Sequence, residues 1–81
     1  MTFEERIRIF RSLDNLINRK YRGKSKDYAT KLGISRSAFF RILEYLRDEF
    51  GVPVIYKKAD NRYAYQKKGA MYFGFLEKDE D

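Results

Sequence analysis

Gly33 constrains this chain more than any other residue. It stands between Tyr28-Ala29-Thr30-Lys31-Leu32 and Ile34-Ser35-Arg36-Ser37-Ala38-Phe39-Phe40-Arg41-Ile42-Leu43. Inside a helix, glycine costs roughly 0.5–1 kcal/mol relative to alanine, because backbone freedom is lost and no side chain packs. At a helix end it is favourable, since it adopts the left-handed conformation that turns the chain. The apolar residues on both sides keep helical spacing, and a serine two residues later is a good start signal for a new helix. The stretch is therefore expected to be two short helices meeting at a sharp corner.

The rest of the chain supplies a frame for that corner. Thr2-Phe3-Glu4-Glu5 reads as a capping box, and Phe3, Ile7, Phe10, Leu13 and Ile17, with Ile9 and Leu16 beside them, form an apolar stripe to about Arg19. Arg6, Arg8 and Arg11 fall on the opposite, solvated face. After a basic connector ending in Gly23-Lys24, Ser25 is expected to cap a second helix over 26–32. Ser35 is expected to cap a third over about 35–49, with Phe39, Ile42, Leu43 and Leu46 buried. Gly51 and Pro53 end it, because proline fixes its own backbone and pushes the preceding residue out of the helical region. The period then changes to two: Val54 and Tyr56 alternate with Ile55 and Lys57, and Tyr63 and Tyr65 with Ala64 and Gln66. With the turn residues Ala59-Asp60-Asn61-Arg62 between them, this predicts a β-hairpin over about 53–67. Tyr63 and Tyr65 are expected to face the core. Residues 70–76 contain the aromatic run Met71 to Leu76, expected as a strand or an extended arm, and 77–81 as an acidic disordered tail. The expected whole is one α+β domain over 1–76.

Composition narrows the function classes. The chain has 81 residues, no histidine and no cysteine, so the commonest general base, the commonest metal ligand and any disulfide are missing together. Fourteen aromatics, seven Phe and seven Tyr, have to furnish much of the core of a domain this small. Glu44, Asp48 and Glu49 share a helix with arginines, as a solvated surface does. No phosphate-cradling glycine loop is present. No enzyme, metal, cofactor or small-molecule ligand is expected. No apolar run approaches the ~20 residues of a membrane span, and the charged N-terminus is unlike a secretory signal, so the expected location is cytoplasmic. The net charge is +6, but the last five residues hold four acids and one base, leaving +9 over residues 1–76. A body that basic suits a polyanionic partner, with solubility alone as the plainer account.

With Ser25 as position one, the central stretch fits a twenty-residue helix-turn-helix template. The apolar slots are Tyr28, Leu32, Ile34, Phe39 and Ile42, the small residue is Ala29, and the corner glycine is Gly33. Ala29 permits close approach of the helices, and Ile34 fills the angle between them. In such a motif the second helix lies in a DNA major groove with its first turns toward base edges. The outward residues are Ser35, Arg36, Ser37, Phe40, Arg41 and Glu44. Phe40 lies about 100° round from the inward Phe39, so it is expected either to meet a thymine methyl or sugar, or to be partly buried. Ser35, Arg36, Ser37 and Phe40 are the candidate base contacts, Arg36 most naturally to guanine. Arg41, Lys24 and Lys26, with Lys57, Lys58 and Arg62 in the hairpin, are the candidate backbone contacts. Glu44 is expected to orient an arginine, and Arg47 to be surface charge.

The stretch LGISRSAFFRILEYLRDEFGVPVIYKKADNRYAY resembles the N-terminal winged helix-turn-helix of DeoR-like and WYL-type bacterial regulators. It is similar also to small stand-alone winged-helix proteins of Bacteroides-like bacteria. Leu32, Gly33, Ile34, Ser35, Arg36, Arg41, Leu43, Leu46, Arg47, Gly51, Pro53 and Tyr56 carry the likeness, which covers residues 24 to 66. The departures are Ser37 and Ala38, where an arginine and a threonine are usual, Phe40 for tyrosine, and Arg62 for a turn glycine. The family's base preferences therefore do not transfer.

The resemblance implies binding of double-stranded DNA by recognition helix and wing, in transcription regulation. A homodimer is compatible with it, because one recognition helix reads few bases. The ligand-sensing domain of those regulators has no counterpart in the 81 residues, so a signal is expected through oligomeric state, a partner or abundance. The competing expectation is a winged helix used for protein interaction, or as an architectural piece of a phage or mobile element. Scattered rather than convergent basic residues would favour it.

Overall fold

The computed structural model describes residues 2–67 and 69. The expected arm and acidic tail lie outside the described residues. Three helices precede a two-stranded antiparallel hairpin, the α+β layout the sequence predicts: α1 (Phe3–Asn18), α2 (Ser25–Leu32), α3 (Arg36–Phe50), β1 (Val54–Lys57) and β2 (Arg62–Tyr65).

Helix α1 begins where its cap predicts, with the Thr2 hydroxyl accepting the Glu5 N–H at 3.1 Å. Its buried side is Ile9, Phe10, Leu13, Leu16 and Ile17. Phe3, expected on that stripe, is instead 76% exposed. It lies in the first turn, beyond the reach of the elements that cover the rest of the face. The helix ends on Lys20, a non-glycine residue at φ 59°. That conformation lets the Lys20 and Tyr21 N–H groups return to the Ile17 and Leu16 carbonyls, both at 3.0 Å.

The connector runs beside the hairpin. Arg22 forms a single antiparallel bridge with Arg62, and the Gly23 N–H donates to the Asn61 carbonyl at 2.7 Å. A Cβ on Gly23 would sit 2.7 Å from that of Asp27, so close approach rather than turning demands this glycine.

The corner is built as expected. Gly33 has φ 70°, its N–H bonds to the Thr30 carbonyl at 3.1 Å, and the Ile34 N–H reaches the Ala29 carbonyl at 3.0 Å. Ala29 is buried between α2 and α3, while Leu32 and Ile34 are partly buried against the core. One cap differs from expectation. Ser25 is the first helical residue of α2 and not its cap; Lys24 holds the cap position, and its N–H is satisfied by the Asp27 carboxylate at 2.9 Å. The Ser25 hydroxyl is thereby released for a different partner. Ser35 does cap α3, accepting the Ala38 N–H at 3.1 Å, and Gly51 closes it at φ 62°.

The strands pair Val54 with Tyr65, Ile55 with Ala64, Tyr56 with Tyr63 and Lys57 with Arg62. Asn61 takes the left-handed turn position at φ 51°, a conformation asparagine tolerates. Val54 and Tyr63 are buried and Tyr65 partly so. Arg47, expected as surface charge, instead ties α3 to the hairpin: its Nε donates to the Val54 carbonyl at 3.0 Å.

Tyr28 joins these parts. Its ring is fully buried and packs edge-on against Tyr63 at 4.8 Å and Tyr21 at 5.2 Å. The hydroxyl donates to the Tyr21 carbonyl and accepts the Tyr63 N–H at 3.2 Å. One side chain thus satisfies backbone groups in the connector and in β2. Burial pushes the Tyr28 hydroxyl above its ordinary pKa, against the opposing pull of the Tyr63 N–H and the Arg62 charge.

Candidate functional site

The first turn of α3 projects beside the first turn of α2, and the Gly33 corner sets that proximity. Arg36, the first helical residue of α3, donates from Nε to the Ser25 hydroxyl at 3.0 Å. Ser25 is 8% exposed, the one buried polar side chain of the described residues. The guanidinium carbon of Arg36 stands 5.5 Å from the centre of the Phe40 ring. Phe40 is 45% exposed and leans on Phe39, which is fully buried, at 6.0 Å. Of the two outcomes expected for Phe40, partial burial against α1 or the hairpin is not seen: the ring is exposed, beside its chain neighbour Phe39 and under the arginine.

On the other side of Ser25, a groove of about 540 Å³ separates the start of α2 from the hairpin, lined by Lys24, Ser25, Tyr56, Lys58, Asn61 and Tyr63. The Tyr56 hydroxyl donates to the Asn61 side-chain oxygen. The Tyr63 hydroxyl is pushed above its ordinary pKa by burial and by neighbouring Tyr56. Arg47, the Ser25 hydroxyl and Arg36 pull the other way. Two lysines from different elements therefore converge on the side of Ser25 opposite Arg36.

The candidate residues fall into three sets. Arg36, Phe40, Lys24 and Lys58 form one continuous region around Ser25, with Ser35, Ser37 and Lys26 exposed near it. The Ser35 oxygen spends one lone pair on capping α3, leaving its O–H proton and a second lone pair for an outside partner. Arg41 lies apart, lining a groove between α1 and α3 with Arg6, Phe10 and Tyr45. Lys57 and Arg62 occupy the other face of the hairpin, beside Lys20 and Asn18 of the α1 end.

That last set departs from a single basic stripe along the hairpin, because register places Lys57 opposite Arg62 and away from the groove. Both also share Asp60, at 3.5 and 3.7 Å, and the Arg62 side chain is only 16% exposed. The Lys57–Asp60 pair is nearly half exposed at both ends, so it is worth under about 1 kcal/mol and yields to a stronger anion. Glu44, expected to orient an arginine, forms no ion pair among the described residues.

Ser25, Tyr56, Asn61 and Lys20 belong to these surfaces and carry no sequence signal for it. Ser25 reads as a cap at the level of local pattern. Its pairing with Arg36, eleven residues on, appears only once the corner is built.

Among the described residues no cluster of three or more metal-binding side chains occurs, and no helix is long and apolar enough to cross a membrane. No family model matches the sequence, and no curated protein or solved structure matches it.

Proposed function

We propose that this chain is a sequence-selective double-stranded DNA-binding protein of the winged helix-turn-helix kind, acting in transcription regulation in the bacterial cytoplasm. The carrying observation is the basic region around Ser25. An arginine on the first turn of α3 is held by two contacts, and Lys24 and Lys58 line the groove that its partner Ser25 also lines. Helix α3 enters the major groove with Arg36 and Ser37 toward base edges. Phe40 presents its open edge to the same wall. Lys24, Lys26 and Lys58 meet phosphates on either side, Arg41 meets the backbone along α3, and Lys57 and Arg62 supply the far face of the wing. Base contacts specify, and phosphate contacts position.

The test is selection from a random duplex pool, followed by fluorescence anisotropy between 50 and 200 mM salt. Six to eight phosphate contacts weaken binding on the order of 10³-fold over that range. Enrichment of one sequence with a steep salt slope is the expected result. No enrichment and a flat slope would leave the charge to solubility.

A protein-docking role is the second reading, favoured by the separation of Arg41, Lys57 and Arg62 from the Ser25 region and by an aromatic surface on the α1–α3 side. Phe3, Tyr45 and Phe50 are 76%, 38% and 51% exposed there. The same selection experiment decides between the two.

A further inference from the structure

We propose that Ser25 and Phe40 are positioning residues for Arg36, and that together they leave its guanidinium only an end-on fork, which selects one guanine over adenine. This rests on the DNA-binding reading and adds the mechanism of its selectivity.

A free arginine side chain carries roughly 2 kcal/mol of rotamer entropy and offers five N–H donors in two usable geometries, side-on through Nε and end-on through the two terminal nitrogens. Here Nε already donates to the Ser25 hydroxyl at 3.0 Å. The side-on geometry is therefore occupied. Phe40, 5.5 Å from the guanidinium carbon, fixes the plane from one side through its ring face. That ring is itself held by Phe39 at 6.0 Å, and Phe39 is fully buried. Support for the arginine thus passes from buried Phe39 to the half-exposed ring of Phe40. Ser25 is anchored in turn, being 8% exposed in the first turn of α2 and lining one groove with Tyr63 of the hairpin.

What remains outward is a pair of parallel N–H donors. Guanine shows two adjacent acceptors, O6 and N7, on its major-groove edge. Adenine shows one acceptor beside an amino donor, which opposes the second N–H. The end-on fork therefore accepts guanine and rejects adenine. A phosphate also accepts such a fork, but then substitution would weaken every sequence alike. Neither Ser25 nor the ring of Phe40 needs to touch a base for this discrimination.

The experiment uses the full chain and two duplexes, the pool-selected sequence and the same sequence with the guanine pair changed to adenine–thymine. The readout is the ratio of the two dissociation constants at fixed salt, with a scrambled duplex and the thermal midpoint as controls. Wild type should give a ratio on the order of 10- to 100-fold. Arg36→Lys, which keeps the charge and loses the fork, should bring it close to one. Ser25→Ala and Phe40→Leu should each lower the ratio several-fold, and Phe40→Tyr should restore it.

Independently of DNA, the Arg36 Nε–H resonance of the free protein should exchange slowly with water in wild type and rapidly in Ser25→Ala. Phe40 is largely on the surface, so its variants keep the test decisive should Ser25→Ala fold poorly. Wild-type selectivity that is indifferent to Phe40→Leu, or an unprotected Arg36 Nε–H in wild type, would overturn the positioning role while leaving DNA binding intact. A wild type without duplex selectivity would overturn both.

Discussion

Two basic regions of this molecule are built in opposite ways. At the Arg36 corner the charge is held in place by a buried hydroxyl and an aromatic face, both anchored in the core. At the hairpin tip Lys57 and Arg62 share one acid, Asp60, at 3.5 and 3.7 Å, in a four-residue loop. A fixed donor has a direction and can distinguish one acceptor pattern from another. A cation in a half-exposed pair, as Lys57 is, has charge but little direction, and exchanges one anion for another at small cost. On the DNA-binding reading proposed here, the corner would discriminate and the tip would attract.

The largest effect should come from breaking the support that makes the corner rigid. Tyr28→Ala removes a fully buried ring contacting Tyr21, Tyr63 and Phe39, and large-to-small changes of this kind cost about 3–5 kcal/mol. In a domain this size each kcal/mol lowers the midpoint by roughly 4–8 °C, so calorimetry should find the variant mostly unfolded at 37 °C. Tyr28→Phe keeps the ring and strips partners from the Tyr63 N–H and the Tyr21 carbonyl. It should cost about 1–3 kcal/mol.

High pH probes the same node. Burial holds the Tyr28 and Tyr63 hydroxyls above their ordinary value of 10.0, so the folded state keeps protons that the unfolded chain releases. Their contribution is complete below about pH 10 and is lost as pH rises through the folded-state values. Urea unfolding should therefore show stability falling above pH 10, and falling less steeply in Tyr28→Phe.

How legible this was in the sequence differs between the two regions as well. The Thr2 and Ser35 caps, the glycine ends at Gly33 and Gly51, and the hairpin follow from local rules, and the structure has each of them. Helix-turn-helix spacing put Arg36 and Phe40 on the outward side of α3, where both are exposed. The supports of Arg36 lay beyond that reach. Ser25 satisfies a cap pattern, yet Asp27 meets the first-turn need and frees the serine. Arg47 looks like surface charge until the Val54 carbonyl, seven residues on, comes within 3.0 Å. Tyr28 fits an apolar slot, and nothing nearby in sequence announces a hydroxyl bond to residue 63. Lys57 and Lys58 are neighbours in the sequence, yet they line different grooves, Lys57 with Arg62 on the far face. Local grammar reads ends and faces; pairings across elements need the assembled fold.

Attraction should be separable from discrimination. Lys24→Ala with Lys58→Ala removes two cations from one groove, and each phosphate contact contributes about 0.9 to the slope of log affinity against log salt. Anisotropy should show that slope falling by roughly 1.8, with the preference among duplexes unchanged. A loss of preference would mean that the groove reads bases and would erase the contrast with the corner.

Asp60→Asn releases Lys57 and Arg62 together. Binding to every duplex should tighten a few-fold at low salt, without new selectivity, and stability should change by less than about 1 kcal/mol. The last change lies beside the tip set, on the groove it shares with Lys57 and Arg62. Lys20→Gly relieves a left-handed backbone at φ 59° and should raise stability by about 0.5–1 kcal/mol, leaving DNA affinity to follow only the lost charge.

The central claim, that Arg36 reads and the surrounding cations attract, is tested most directly by the dissociation constants of wild type and Arg36→Ala for the selected and scrambled duplexes at one salt concentration. The account predicts that Arg36→Ala weakens the selected duplex on the order of 10- to 100-fold and the scrambled duplex by only a few-fold, so that the two nearly converge. Equal weakening of both duplexes would contradict it and make Arg36 one more phosphate contact.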